Sequence, residues 1–233
     1  NTITDNANWG IVARGETGSI EIGHSTIRNN GDGGLFINDM TGVTISHNII
    51  PANSATDGGG IHVYSTPATI SYNIIADNSA GQGGGVYLDG AAGSTVSFNA
   101  ILDNQASADG GGIYATNVNG VSITDNTILD NTASVGGVYV SSHPDFNDNN
   151  IYDNSGYDLH NGNITGTNDL NAQDNWWGVT DTVQIDNHIW DDDEDSGLGR
   201  VDYDPYRGFH NTDAPISPPA NLTVTAVSTV TSI

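Results

Sequence analysis

Aromatic and imidazole side chains recur along this 233-residue chain, each just after a glycine-rich or turn segment and, in all but the last copy, between two apolar neighbours. In chain order they are Phe36, His62, Tyr87, Tyr114, Tyr139 and His160. If the copies stack as parallel strands, these rings lie about 4.8 Å apart and form a continuous stripe. Sugars and partner proteins bind such stripes. The sequence therefore predicts a carbohydrate-contact or partner-contact surface at these six residues, and ring stacking that only stabilises a sheet is the alternative.

Carboxylates precede the glycines in three copies, at Asp32, Asp57 and Asp109. Paired carboxylates at a set separation are what glycoside hydrolysis requires. Gln82 and Val135 interrupt the series, however, and aspartate is common in turns for conformational reasons. We therefore assign no catalytic residue on the sequence.

An acidic run spans residues 191–195. Clustered oxygen ligands can hold calcium, and Asp191, Asp193 and Asp195 are the candidate ligands. The spacing is not that of an EF-hand loop, and consecutive carboxylates cannot all face one ion. Calcium is thus the one cofactor that the sequence suggests, with a solvated acidic loop as the alternative.

An asparagine repeat sets the spacing of all these residues. Its leading positions follow one another at intervals of 23 to 27 residues, and a second asparagine comes five residues after most of them. The pairs are Asn1/Asn6, Asn48/Asn53, Asn73/Asn78, Asn99/Asn104, Asn126/Asn131 and Asn149/Asn154, with Ser25/Asn30 as an imperfect member and Asn175 opening an unpaired copy. A period of this size predicts a solenoid.

Each copy alternates apolar and polar residues over short segments, as in Val43-Thr44-Ile45, which is the period of a β-strand. Glycine runs such as 58–60 supply tight bends. An asparagine tolerates left-handed backbone geometry at turns, and its amide can donate and accept between stacked copies. We therefore expect coils of about three short strands whose asparagines form ladders with a structural role.

The N-x-I-x-x-N units and GGG-I-x-V segments resemble the right-handed parallel β-helix repeat proteins, which include pectate-lyase-like and NosD-like chains. The resemblance implies an all-β fold, a single right-handed parallel β-helix of about seven coils over residues 1–178 with a C-terminal cap. This architecture hosts lyases, hydrolases, epimerases, adhesins and spacers, so function must be argued from the surface. Lyases of this fold usually take the proton with Lys or Arg. This chain has no lysine and four arginines, at Arg14, Arg28, Arg200 and Arg207.

The segment after the coils contains Asn175-Trp176-Trp177-Gly178, then the stretch 185–195, then the stretch 199–205. In these strings it resembles the ending of many secreted and surface β-helix domains, which implies a capping role. We expect Trp176 and Trp177 to cover the open end of the core, and Thr180-Asp181 to cap a short helix that runs through Trp190. Residues 179–210 then form a cap with an acidic loop. Residues 211–219 are a proline-rich linker, and residues 220–233 begin a truncated following β domain, so the chain is part of a larger multidomain protein.

The net charge of −24 argues against nucleic-acid partners, which need a basic surface, and no apolar run is long enough to span a membrane. The interpretation is an extracellular or cell-surface module with a structural or adhesive role that contacts a polysaccharide or a surface protein. A polysaccharide lyase or hydrolase with its catalytic region partly outside this chain is the alternative. An ice-binding surface is the second alternative, carried by a hydroxyl grid at Thr44/Ser46, Thr69/Ser71, Thr95/Ser97 and Ser122/Thr124.

Overall fold

Short parallel strands stack into a solenoid with three long sheets in the computed structural model, which describes residues 1–15, 18–165 and 170–215. Sheet A comprises β1 (Thr2–Thr4), β4 (Thr26–Arg28), β7 (Ile49–Pro51), β10 (Ile74–Ala76), β14 (Ala100–Leu102), β18 (Thr127–Leu129) and β21 (Asn150–Tyr152). Sheet C comprises β3 (Ser19–Gly23), β6 (Gly42–Ser46), β9 (Ala68–Ser71), β13 (Thr95–Ser97), β17 (Ser122–Thr124) and β20 (Asp145–Asn147). The seven strands of sheet A confirm the predicted number of coils.

Sheet B is the longest of the three and carries the predicted aromatic stripe. Its strands are β2 (Ile11–Arg14), β5 (Leu35–Asn38), β8 (Ile61–Tyr64), β12 (Val86–Asp89), β16 (Ile113–Thr116), β19 (Thr132–Ser141), β22 (Ser155–Asn161) and β24 (Ile189–Trp190). Two short strands, β11 (Ser79–Ala80) and β15 (Gln105–Ala106), pair beside it and lead into β19. The remaining elements are the paired strands β23 (Leu170–Asn171) and β25 (Val201–Asp202), and the helix α1 (Thr182–Asp186).

The core is built by stacking equivalent side chains from successive coils. The middle residue of every sheet A strand is an isoleucine, and the six from Ile27 to Ile151 are fully buried. Sheets B and C add inward valine, leucine and isoleucine columns. Because a strand alternates its faces, the polar or aromatic residues between these positions must point outward.

Two asparagine ladders, buried except at the terminal rung Asn6, run along the corners between sheets. The first passes through Asn48, Asn73, Asn99, Asn126, Asn149 and Asn175, and the second through Asn6, Asn30, Asn53, Asn78, Asn104, Asn131 and Asn154. In a typical rung, the Oδ1 of Asn104 accepts from the backbone N–H of Asn78 at 3.1 Å and from its side-chain amide at 3.0 Å. The Nδ2 of Asn104 donates to the backbone carbonyl of Ile75 at 2.9 Å. The predicted structural role of the asparagines is confirmed.

Left-handed backbone geometry falls on the residue before each ladder asparagine and before Ser25, the imperfect member of the first ladder. These residues have φ between 51° and 59° and are His24, His47, Tyr72, Phe98, Asp125, Asp148 and Asp174 along the first ladder and Asp5, Asn29, Ala52, Asp77, Asp103, Asp130 and Asp153 along the second. The ladder asparagine itself was the expected occupant of the turn, and that assignment is wrong by one position. The turn residue points its side chain outward, whereas the next residue aims its amide at the backbone of adjacent coils.

Glycines are required where coils approach most closely before sheet B. A Cβ placed on Gly84 would lie 2.5 Å from the backbone carbonyl oxygens of both Gln105 and Gly111. Backbone atoms cannot yield as a flexible side chain can. The glycine runs are therefore steric requirements of stacking, which agrees with their interpretation as bends.

The C-terminal part continues the solenoid for a partial turn. Trp177 is buried in the core, as expected for a residue that closes it, but Trp176 is only half-buried. Helix α1 is capped by the Asp181 carboxylate and ends at Asp186, earlier than predicted, because Ile189–Trp190 instead pairs with β22 on sheet B. The predicted start of a following domain at 220–233 lies outside the described residues.

Candidate functional site

The six predicted ring residues form one column on the outer face of sheet B. The pairing register places Phe36, His62, Tyr87, Tyr114, Tyr139 and His160 opposite one another on successive strands. Neighbouring ring centroids are 4.4 to 5.2 Å apart, and every ring is half-buried. The rings therefore touch along the whole column, which we call the aromatic column.

Ring orientation divides the column into a regular centre and two irregular ends. The rings of Tyr87, Tyr114 and Tyr139 are parallel within 6° and stack on one another. By contrast, Phe36 and His62 meet edge to face, as do Tyr139 and His160. A ligand at the centre consequently meets ring edges and hydroxyl groups, because stacked neighbours already cover the ring faces.

Two tryptophans extend the aromatic column beyond the six predicted residues. Trp190 lies opposite His160 in the register of β22 and β24, with 6.0 Å between ring centroids. Trp9 lies before β2 and packs on Phe36 at 5.2 Å, while the register position itself is occupied by Val12. Sequence spacing could have indicated Trp190, but Trp9 leaves the register, so only its folded position reveals it.

Burial and the carboxylate and polar groups beside the aromatic column shift the pKa values of its histidine and tyrosine side chains. Burial lowers the pKa of His62, opposed by the hydrogen bond that its Nδ1–H donates to the carbonyl of Asp57 at 3.1 Å. Burial first, and then the charge of Asp89, raises the pKa of Tyr87. Burial and the neighbouring tyrosines raise the pKa of Tyr114 well above its usual range. These tyrosine hydroxyls therefore remain protonated donors at neutral pH.

The three turn carboxylates do not behave as an equivalent series. Asp57 pairs with Gln82 in a backbone bridge, and Asp32 is exposed. Asp109 instead faces His160, with 3.5 Å between the carboxylate Oδ1 and the imidazole Nδ1, and neither buried atom has a hydrogen-bond partner. The solenoid thus brings one acid–imidazole pair against the aromatic column.

Comparison with family models identifies the protein family of this solenoid. The model described as "Right handed beta helix region" matches residues 1–101 and 58–177, which together span most of the chain. The chain belongs to the right-handed β-helix family. Comparison with curated proteins and with solved structures gives no match. The family fixes the architecture of this β-helix and leaves its function to be argued from its surfaces.

Two carboxylates of the acidic run at the end of the β-helix, those of Asp191 and Asp195, accept hydrogen bonds from backbone N–H groups. Asp191 is 8% exposed, and its two carboxylate oxygens accept from the backbone N–H groups of Val201 at 2.7 Å and Asp193 at 3.1 Å. Burial raises the pKa of Asp191, and these two bonds oppose the shift. The carboxylate of Asp195 accepts from Gly197. Calcium binding at Asp191, Asp193 and Asp195 stays a prediction.

Over residues 1–15, 18–165 and 170–215, no three His, Asp or Glu side chains lie where they could together hold an ion. No helix among these residues has the length and apolar character of a membrane span.

The hydroxyl grid of the β-helix lies on sheet C, in the register that the sequence predicts. Thr44, Thr69, Thr95 and Ser122 form one column, and Glu21 and Asp145 end it. In the parallel column, Ser71 and Ser97 are buried. The surface therefore offers one continuous line of accessible hydroxyl groups rather than the flat two-column grid that ice binding calls for.

A second aromatic stack lies at the corner between sheets C and A and was missed by the sequence reasoning. His24, His47, Tyr72 and Phe98 stack with centroids 5.0 to 5.2 Å apart and planes within 22°. Their common signal is their place directly before a first-ladder residue, the left-handed position. We call this group the corner stack.

Proposed function

We propose that this β-helix is a secreted or cell-surface recognition module that binds a polysaccharide along the aromatic column. The observation that carries the proposal is the continuity of eight rings from Trp9 to Trp190 on one face. At about 4.8 Å per coil, such a column is about 30 Å long, which suits an extended chain of several sugar units. Aromatic side chains supply contact area with little loss of conformational entropy.

The charge around the column favours a neutral polysaccharide over an acidic one. Asp57, Asp89 and Asp109 lie beside the rings, and Arg14 packs its guanidinium over Phe36 at one end. The net charge of the chain is −24, so a polyuronate approaches against a repulsive field. Neutral sugars can instead accept from protonated tyrosine hydroxyls and donate to the carboxylates.

The test is binding of soluble neutral polysaccharides and polyuronates by affinity electrophoresis, with the wild-type chain and a Tyr87→Ala/Tyr114→Ala variant. We expect retardation by a neutral glycan that weakens at least about tenfold in the variant, since central aromatic residues dominate recognition energy. Tyr72→Ala in the corner stack is the control, because it removes a half-exposed ring from another face.

Unchanged retardation of the double variant, or retardation lost equally in Tyr72→Ala, contradicts the proposal. A Tyr87→Phe/Tyr114→Phe variant keeps the ring stack and removes only the hydroxyls. Because stacked rings expose their edges, we expect this variant to lose most of the binding that the alanine variant loses. Shortening of the glycan during the assay would favour the lyase or hydrolase alternative.

A further inference from the structure

From β7 to β18, the outer face of sheet A is largely aliphatic, unlike the hydroxyl column of sheet C and the aromatic column of sheet B. Its outward positions from β7 to β18 are Ile49, Pro51, Ile74, Ala76, Ala100, Leu102, Thr127 and Leu129. The corresponding column on sheet C is made of Thr and Ser. We call these eight positions the apolar strip. Solvated sheet faces alternate apolar and polar residues, so a strip of this kind is expected to be covered.

Part of the strip is buried although it points away from the core. Ala100, Leu102 and Leu129 are 2%, 4% and 8% exposed, and they form a cluster separate from the interior, against which Ile74 and Ala76 pack. An outward side chain with so little exposure needs a cover on its outer side. Tyr152 lies beside Leu129 on the same face and packs against the cluster, but it is two strands away from Ala100. The cover over Ala100 must therefore come from outside the coils.

Residues 211–215 supply the beginning of such a cover. The backbone N–H of Asn211 donates to the Asn150 side chain at 2.6 Å, and the Asn150 amide donates back to the carbonyl of Asn211 at 3.0 Å. Four residues later, the hydroxyl of Thr127 donates to the carbonyl of Pro215. Ala214 between them is 2% exposed.

These contacts give the segment a direction. Asn150 and Thr127 are adjacent in the register of sheet A, and the next position is Ala100, followed by Ile74. The chain thus passes from the last coil of sheet A to the one before it and points at the apolar strip. Three further coils span about 15 Å, which 18 residues can cover easily even when far from fully extended.

The composition of residues 216–233 matches the strip. This segment contains Ile216, Leu222, Val224, Val227, Val230 and Ile233 and no charged residue, in a chain with 32 charged side chains. Aspartates border the strip on both corners, among them Asp77, Asp103, Asp125 and Asp130. A charged acidic segment would be repelled there, whereas an uncharged apolar one is not.

We infer that the apolar strip is the binding face for residues 216–233 of the same chain, which bind it as an intramolecular belt. The belt buries the apolar side chains of Leu222 and Val224 against sheet A. It also removes the exposed apolar surface through which two copies would otherwise associate. Residues 216–233 then belong functionally to this module.

The test uses thiol labelling, because the chain has no cysteine of its own. Ala100→Cys introduces a reporter on the strip, and Thr69→Cys introduces an exposed reporter on sheet C. In the full-length chain we add Leu222→Asp/Val224→Asp to weaken the belt. We expect this pair to speed labelling of the Ala100→Cys thiol by iodoacetamide at least about tenfold, since the reaction depends on access, and to leave the Thr69→Cys rate unchanged.

Thr223→Asp/Thr225→Asp is the matched control, with the same added charge on the alternate positions. We expect it to change the labelling of Ala100→Cys less than about twofold, because alternate residues of an extended segment face opposite ways. Equal labelling in all three chains overturns the inference, as does equal acceleration by both acidic pairs. Protection of the thiol that disappears on dilution identifies a second copy as the occupant and likewise overturns it.

Discussion

The asparagine ladders and the aromatic column follow the same coils, but they differ in how strictly residue type is kept. All rungs of the second ladder, from Asn6 to Asn154, are asparagines, and their amides form hydrogen bonds with backbone groups of the protein. The aromatic column passes through Phe, His and Tyr on a half-exposed surface. An interior rung must both accept from one coil and donate to another, as the asparagine amide does, whereas any flat ring fills a column position. Uniformity therefore marks an obligatory hydrogen bond, and function is to be sought where the residue type varies.

The largest effect that follows from this contrast is the loss of one central rung. Asn104→Ala removes the acceptor of the Asn78 backbone and side-chain amides and the donor to Ile75. The Asn78 amide keeps only its bond to the carbonyl of Ile50, and its backbone N–H stays buried without the Asn104 acceptor. We therefore expect a loss of about 3 to 4 kcal/mol in the free energy of unfolding, measured in urea. Tyr114→Phe keeps the ring in the aromatic column, and we expect it to cost less than about 1 kcal/mol. Similar losses for the two variants would contradict the claim that the ladder hydrogen bonds contribute more to stability than the hydroxyl groups of the aromatic column.

A smaller effect is expected where the second ladder ends on a carboxylate. Asp158 is fully buried, accepts from Asn154 at 2.8 Å and receives a hydrogen bond from the Nδ1–H of His188 at 2.9 Å. That bond is the main cause that raises the pKa of His188, with burial opposing it. A raised folded-state pKa gives stability that is fully present below the unfolded-state pKa, about 6.5, and lost as pH rises through the higher folded value.

We therefore expect unfolding midpoints in urea to fall between about pH 6 and pH 8 by an amount worth less than about 1 kcal/mol, since His188 is partly exposed. His188→Gln should flatten this pH dependence. His24→Gln, in the corner stack, is the control and should leave it in place. If the pH profile is the same in His188→Gln and wild type, protonation of His188 does not contribute to the free energy of unfolding.

The smallest effect concerns the imperfect rung of the first ladder. Ser25 receives no side-chain amide from the ladder: its N–H donates to Asn48, and its hydroxyl donates to the carbonyl of Gly23. Ser25→Asn adds an amide that can donate to the same Asn48 oxygen. We expect a gain of about 0.5 kcal/mol in the free energy of unfolding, measured in urea. A loss instead of a gain would show that the terminal coil is shaped for serine.

The repeat made much of the fold predictable. Once the asparagines are aligned, the register of all three sheets follows, and residues such as Tyr87 and Tyr114 fall opposite each other. The errors are local. Turn geometry belongs to the residue before each asparagine, helix α1 is shorter than expected, and Trp176 does not share the burial of Trp177. These depend on competition between neighbouring groups for the same space, which residue spacing does not report.

The candidate site, like the fold, could be predicted from the sequence only in part. Six members of the aromatic column could be predicted because each occupies the same strand position. Trp9 could not, since it reaches Phe36 from outside the register. The pair formed by Asp109 and His160 joins residues 51 positions apart through a turn and a strand on different coils, and no local pattern indicates it.

The amino-acid sequence by itself determined the coil period, the buried ladders and the face on which the rings lie, because a repeated residue in a stacked strand has one register that satisfies its backbone and its burial. Tertiary structure alone decided how the rings tilt, which carboxylates meet an imidazole, and that residues 211–215 return to sheet A beside Asn150 and Thr127. Those features arise between segments far apart in the chain. Their geometry is fixed by packing after the coils have formed, so no spacing in the sequence encodes it.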